Sequence, residues 1–156
     1  MILSFSELKD IRTKHPDQTI VLVRGVFDLL HRGHVEYLKA VKEHGDVLVV
    51  AVSSDKRTKE RKGSDRPIHS EEDRVHMIDA LRHVDYAFVA PSQQDATVPA
   101  GIQMIQDLRP DVFVTINREW LEHKETFDTI GVRLVILPID KINSTTSIIE
   151  RIRAAG

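Results

Sequence analysis

The chain has no cysteine, which excludes disulfides, thiolate metal sites and cysteine nucleophiles. No apolar run approaches the roughly 20 residues of a membrane span. The start, Met1-Ile2-Leu3-Ser4-Phe5-Ser6-Glu7, lacks the basic residues and long apolar stretch of a secretion signal. A cytoplasmic protein without membrane contact is expected. There is little net charge either, −2 at pH 7, so no electrostatic footprint for nucleic acid is present. Three common motifs are missing. Without G-x-x-x-x-G-K-[ST] there is no P-loop, and without G-x-G-x-x-G after the first strand a dinucleotide cofactor is not indicated. Without G-x-S-x-G, a hydrolase with that nucleophile turn is unsupported. Internal repeats, low-complexity tracts and linkers are also absent, so 1–156 is read as one domain.

What is present is an alternation of strand and helix patterns. Short, β-branched apolar runs predict buried strands at Thr19–Val23, Val47–Val52, Tyr86–Val89, Val112–Ile116 and Arg133–Leu137. Helical patterns lie over Ser6–Lys14, Gly33–Glu43, Ser70–Leu81, Pro99–Leu108 and Ser144–Ala154, and 117–129 leans helical. Gly45 is read as the C-cap of the second helix. Residues 53–69 read as a long polar, basic loop. This order implies right-handed βαβ units and a parallel sheet of about five strands with helices on both faces, a Rossmann-like doubly wound α/β domain. Ligands of such sheets bind beyond the carboxyl ends of the strands, where the strand order switches.

The first strand runs straight into Gly25-Val26-Phe27-Asp28-Leu29-Leu30-His31-Arg32-Gly33-His34. A helix start offers free backbone N–H groups and a positive dipole end to an anion. Histidines at i and i+3 share one side of the first turn and can donate to the same anion. Gly33 carries no side chain to hold a phosphate away. Asp28, His31 and His34 also have spacing suited to a divalent ion, but no fourth ligand is evident. A second helix start, Ser144-Thr145-Thr146, offers hydroxyls that can cap the helix or face phosphate oxygens. Lys62-Gly63 precedes Arg66-Pro67-Ile68, and the charge run Lys56-Arg57-x-Lys59-x-Arg61-Lys62 surrounds it. This run is either a solvated basic loop or a set of cations, Lys62 among them, that neutralises phosphate charge; Lys56, Lys59 and Arg61 are read as solvated. Glu71 and Arg74 form an i,i+3 pair that can simply support a helix. The remaining histidines, at 15, 44, 69, 76, 83 and 123, make no ligand-like cluster.

These motifs together resemble the HxGH nucleotidyltransferases, in particular the cytidylyltransferase-like family, from about Leu8 to Arg153. The resemblance implies that His31, His34 and Lys62 are catalytic. Gly25, Val26, Phe27, Asp28, Gly33, Ser144, Thr145 and Thr146 would bind the nucleotide. Asn117, Arg118 and Arg74 are candidates for the acceptor or base pocket. Mg²⁺ would come with the triphosphate, with Asp28 as a conceivable contact, and the protein would be a homodimer. The expected partners are an NTP, ATP or CTP, and a small phosphorylated sugar or polyol. Two positions depart from family patterns. Ile139 stands where members acting on glycerol phosphate carry arginine, which tilts the reading toward ATP. Val114-Thr115-Ile116-Asn117-Arg118-Glu119-Trp120 replaces the Val-Lys-Gly-Gly-Asp-Tyr of the heptose enzymes. Loss of those glycines reshapes the pocket, so the acceptor is left open. A non-catalytic nucleotide-binding protein of this fold is the rival reading.

Overall fold

The computed structural model describes residues 1–92, 98–138 and 144–155. Five strands form one sheet: β1 (Ile20–Gly25), β2 (Val47–Ser53), β3 (Tyr86–Ala90), β4 (Val112–Thr115) and β5 (Arg133–Ile136). Every pairing is parallel and the order is β3-β2-β1-β4-β5. The fold is therefore Rossmann-like α/β. The chain moves outward from β1 to β3, then crosses back to place β4 on the other side of β1. The crevice of this switch lies between the carboxyl ends of β1 and β4.

Alternate residues of each strand feed two cores. Ile20, Leu22, Val49, Phe88 and Phe113 pack under α1 (Leu8–Lys14), α5 (Val98–Leu108) and α6 (Lys124–Thr129). Val21, Val23, Leu48, Val50 and Val114 pack under α2 (Arg32–Lys42) and α4 (Glu71–Asp79). The continuous apolar character of β1 and β2 follows, because both faces are covered. No helix among the described residues is long and apolar enough to cross a membrane.

The structure corrects the sequence reading in two places. Residues 53–69 are not all loop, since α3 spans Asp55–Lys62. That helix has no apolar stripe to announce it and is made by its ends. Ser54 Oγ accepts from Arg57 N, the Glu71 carboxylate accepts from Asp55 N at 2.5 Å, and basic residues fill the last turn. Nor is Gly45 a helix cap: Glu43 holds that position. A Cβ on Gly45 would lie 2.7 Å from the Thr19 carbonyl oxygen, so glycine is needed there for close approach to β1. The 117–129 segment is helical as expected, a 3₁₀ stretch over Arg118–His123 followed by α6. Ile139 lies outside the described residues.

Candidate functional site

The turn after β1 is the foundation of the site, and it is strained. Phe27 and Leu29 adopt φ of 53° and 46°, a region that costs a side-chain-bearing residue about 1–3 kcal/mol. Its surroundings hold it there. Arg74, fully buried, donates to the Val26 carbonyl at 2.6 Å, to the His69 carbonyl at 3.0 Å and to Asp55 Oδ1 at 2.7 Å. One guanidinium thus ties the β1 turn, the start of α3 and the approach to α4 together. Arg74 lines neither lobe of the cleft, so its expected place in the acceptor pocket is corrected to a brace. The i,i+3 support between Glu71 and Arg74 is corrected too, because each is spent on Asp55 instead. Gly25 is needed beneath the turn, since a Cβ would lie 2.8 Å from the Phe27 ring.

Asp28 is the second brace. Its buried carboxylate accepts from the backbone N–H groups of Leu29, Ile68 and His69, and from Arg66 Nε at 3.1 Å. Burial alone would raise its pKa, but the His69 and Ile68 N–H groups and Arg66 outweigh it and hold the carboxyl below its usual range. Both oxygens are therefore engaged by the 66–69 segment. Asp28 offers no oxygen to a cation, which corrects the metal contact expected of it. Among the described residues no group of three or more His, Cys, Asp or Glu gathers as a ligand set.

Above these braces the two histidines stand at the start of α2, His31 as its N-cap residue. Their rings stack with centroids 3.8 Å apart, and His34 also meets the edge of Phe27 at 5.5 Å. Nδ1 of each is buried and meets no hydrogen-bond partner among the described residues. Burial, then the neighbouring His31 and Lys62, push His34 down to about 4, and burial lowers His31 as well. Both imidazoles are thus neutral at pH 7, each with one N–H to donate. Lys62, at the end of α3, is lowered by partial loss of water and by Arg66 and Arg61.

The cleft has two lobes that meet at His34, Tyr37, Lys62, Ile116 and Thr145. The larger, about 1010 Å³, takes in His31, Gly33, Ser144 and Thr146 together with apolar Ile136, Leu137 and Pro138, with Arg118 on its wall. The smaller, about 500 Å³, takes in Gly25, Val26, Phe27, Asn117 and Trp120. It also takes in Arg24, Arg57 and Arg61, of which Arg61 is exposed, in keeping with its solvated reading. Arg24 and Arg57 were not anticipated. A signal for Arg24 does exist: it is a charge closing an otherwise apolar strand, just before the glycine turn. Its guanidinium carbon lies 5.6 Å from the centre of the Trp120 ring. At α7 (Thr145–Ala154), Ser144 Oγ caps Ser147 N at 3.1 Å, and Thr145 Oγ1 donates to the Asp28 carbonyl at 2.6 Å. The Thr145 hydroxyl donates to the turn rather than to a phosphate, whereas Ser144 Oγ only accepts at the cap, which does not spend its donor.

The family model described as Cytidylyltransferase-like matches residues 22–151. The chain belongs to the cytidylyltransferase-like family. Its relatives include the Bifunctional protein HldE of Helicobacter pylori strain HPAG1, 38% identical over 140 residues, covering 90% of this chain and 29% of the relative. The HldE protein of Syntrophotalea carbinolica is 38% identical over 138 residues, covering 86% and 27%. This member of the family thus spans less than a third of the length of the curated relatives it matches. Among solved structures, the lipopolysaccharide core biosynthesis protein from Thermoplasma volcanium GSS1 aligns with a TM-score of 0.63 and 29% identity, covering 81% of this chain and 99% of that one. Pantoate-beta-alanine ligase from Francisella tularensis aligns with a TM-score of 0.66 at 14% identity, covering 90% and 67%. That last likeness concerns the fold alone.

Proposed function

We propose that the chain is a nucleotidyltransferase that joins a nucleotidyl group from an NTP, ATP in preference to CTP, to a phosphorylated sugar or polyol and releases pyrophosphate. The observation that carries this reading is the stacked pair of histidines at the start of α2, which lines the same lobe as Lys62 and the start of α7. In this reading the triphosphate lies along the larger lobe, its base against Ile116 and Ile136–Pro138. The acceptor lies in the smaller lobe. An oxygen of the acceptor phosphate attacks the α-phosphorus, the bond from that phosphorus to the bridging oxygen breaks, and its electrons leave with pyrophosphate. An ionised phosphate is already a nucleophile, so no strong general base is required. The work left to the chain is positioning and neutralising charge. His31 and His34 donate to the departing oxygens, and Lys62, where the lobes meet, sits between donor and acceptor. Mg²⁺ in this reading arrives on the triphosphate, since Asp28 has no oxygen to spare. Resemblance to the family supports a homodimer, which light scattering of the purified protein tests.

The experiment is pyrophosphate release with ATP or CTP, Mg²⁺ and a panel of phosphorylated sugars and polyols. Release that requires both a nucleotide and an acceptor is expected. The altered Thr115–Trp120 wall gives the rival its motive. ATP that raises the melting temperature while no acceptor supports release would make the protein a binding module.

A further inference from the structure

Tyr37 lines both lobes of the cleft. It lies one turn after His34 on α2, so His31, His34 and Tyr37 follow one ridge of that helix. Its ring belongs to the core that Val23, Val52 and Val114 build under α2, and only 8% of the residue is exposed. A tyrosine this buried ordinarily finds a hydrogen-bond partner for its hydroxyl. The Tyr37 hydroxyl has none among the described residues, yet it is not sealed in the core, so it opens on the cleft. Of the residues common to both lobes, Ile116 is apolar, and the Thr145 hydroxyl is given to the Asp28 carbonyl. His34, Lys62 and Tyr37 remain there as donors. Burial pushes the Tyr37 phenol above its usual range, so at neutral pH it gives a hydrogen bond and does not act as a base. Because the core fixes the ring, the hydroxyl is in place before a substrate arrives, which is what stabilisation of developing charge requires.

We propose that the Tyr37 hydroxyl is a catalytic hydrogen-bond donor to a non-bridging oxygen of the nucleotide α-phosphate. This inference rests on the transferase reading, which puts the α-phosphorus where the lobes meet, and adds a residue to it. No proton is transferred by Tyr37. The hydroxyl keeps its hydrogen while the bond from the acceptor oxygen to phosphorus forms and the bond to the bridging oxygen breaks. Its hydrogen bond strengthens as charge gathers on the non-bridging oxygen during attack.

The test is steady-state pyrophosphate release by Tyr37→Phe, with Mg²⁺ and the pair on which the parent is fastest, ATP or CTP with a phosphorylated sugar or polyol. Phe keeps the ring in the core and costs no hydrogen bond seen among the described residues, so the melting temperature should not fall. kcat should drop about tenfold or more, the scale of one hydrogen bond to a charged group, with both KM values within about twofold of the parent. The two α-thio diastereomers of the same nucleotide locate the contact, because sulfur is a weak acceptor. The loss caused by Tyr37→Phe should be smaller with one diastereomer than with the oxygen nucleotide. An unchanged kcat, a loss confined to KM, or an equal loss with the oxygen nucleotide and both diastereomers overturns the proposal while the transferase reading stands. A parent that releases no pyrophosphate with any pair removes both.

Discussion

Two helix starts face the same cleft, and their polar atoms are used in opposite ways. At α2, Nδ1 of His31 and of His34 are buried without a partner among the described residues. At α7, Ser144 Oγ is taken by the Ser147 N–H and the Thr145 hydroxyl by the Asp28 carbonyl. In sequence both look like phosphate-binding turns, since each sets small or polar residues at a free helix end. In the structure the α2 start leaves two ring nitrogens without a partner among the described residues, and the α7 start clamps the turn below them through Thr145. The link is direct, because the residue whose carbonyl Thr145 holds is the Asp28 whose carboxylate fixes the 66–69 segment. A group held ready should show its loss in turnover, and a group already engaged should show it in stability.

The sharpest way to break this contrast is His34→Ala. It should lower kcat by about 100- to 1000-fold, the size of losing one donor to a developing charge. Pyrophosphate release measures it, and unchanged turnover would mean that the α2 start is structural like its counterpart. Thr145→Val tests the other side. It leaves the Asp28 carbonyl without its buried donor, which should cost about 1–3 kcal/mol, read from urea unfolding. A variant as stable as the parent that has lost nucleotide binding would put Thr145 among the ligand contacts instead.

The smallest effect is a pH dependence. His34 is lowered from 6.5 to about 4 in the folded protein, so the unfolded chain takes up its proton first as pH falls. The stability that comes with keeping this ring neutral is complete above pH 6.5 and is lost progressively toward pH 4. A melting temperature that declines across this window, and declines less in His34→Ala, is expected. Nucleotide should oppose the shift, because phosphate charge favours the protonated ring. Binding near pH 6 should therefore take up protons, which calorimetry in two buffers of different ionisation enthalpy detects. Proton release would contradict the placement of the triphosphate beside the histidines.

The legibility of the fold and of the site differed for physical reasons. β1 and β2 were readable because a strand covered on both faces must be apolar throughout. α2 was readable from its apolar spacing, and α4 from its spacing and its Ser70 cap. α3 was not, because what supports it is Ser54 at one end and the carboxylate of Glu71, which meets Asp55 only after the chain has turned back. The Gly25–His34 turn was found at once, since its residues adjoin in sequence. The arginine wall was not, because Arg24, Arg57, Arg61 and Trp120 come from three separate segments, and each alone is an ordinary surface or core residue.

By itself, then, the sequence determined a five-strand α/β order, the family, and a glycine-containing turn ending in two histidines at a helix start. Those features rest on local periodicity, chain connectivity and free helix ends, all of which are short-range. Only the tertiary structure decided which polar groups are free. It turned Asp28, Arg74 and Thr145 into braces, left the histidine nitrogens without a partner among the described residues, and brought three guanidiniums into one lobe. Hydrogen-bond capacity is settled by which partners arrive from distant segments, and no stretch of sequence records that.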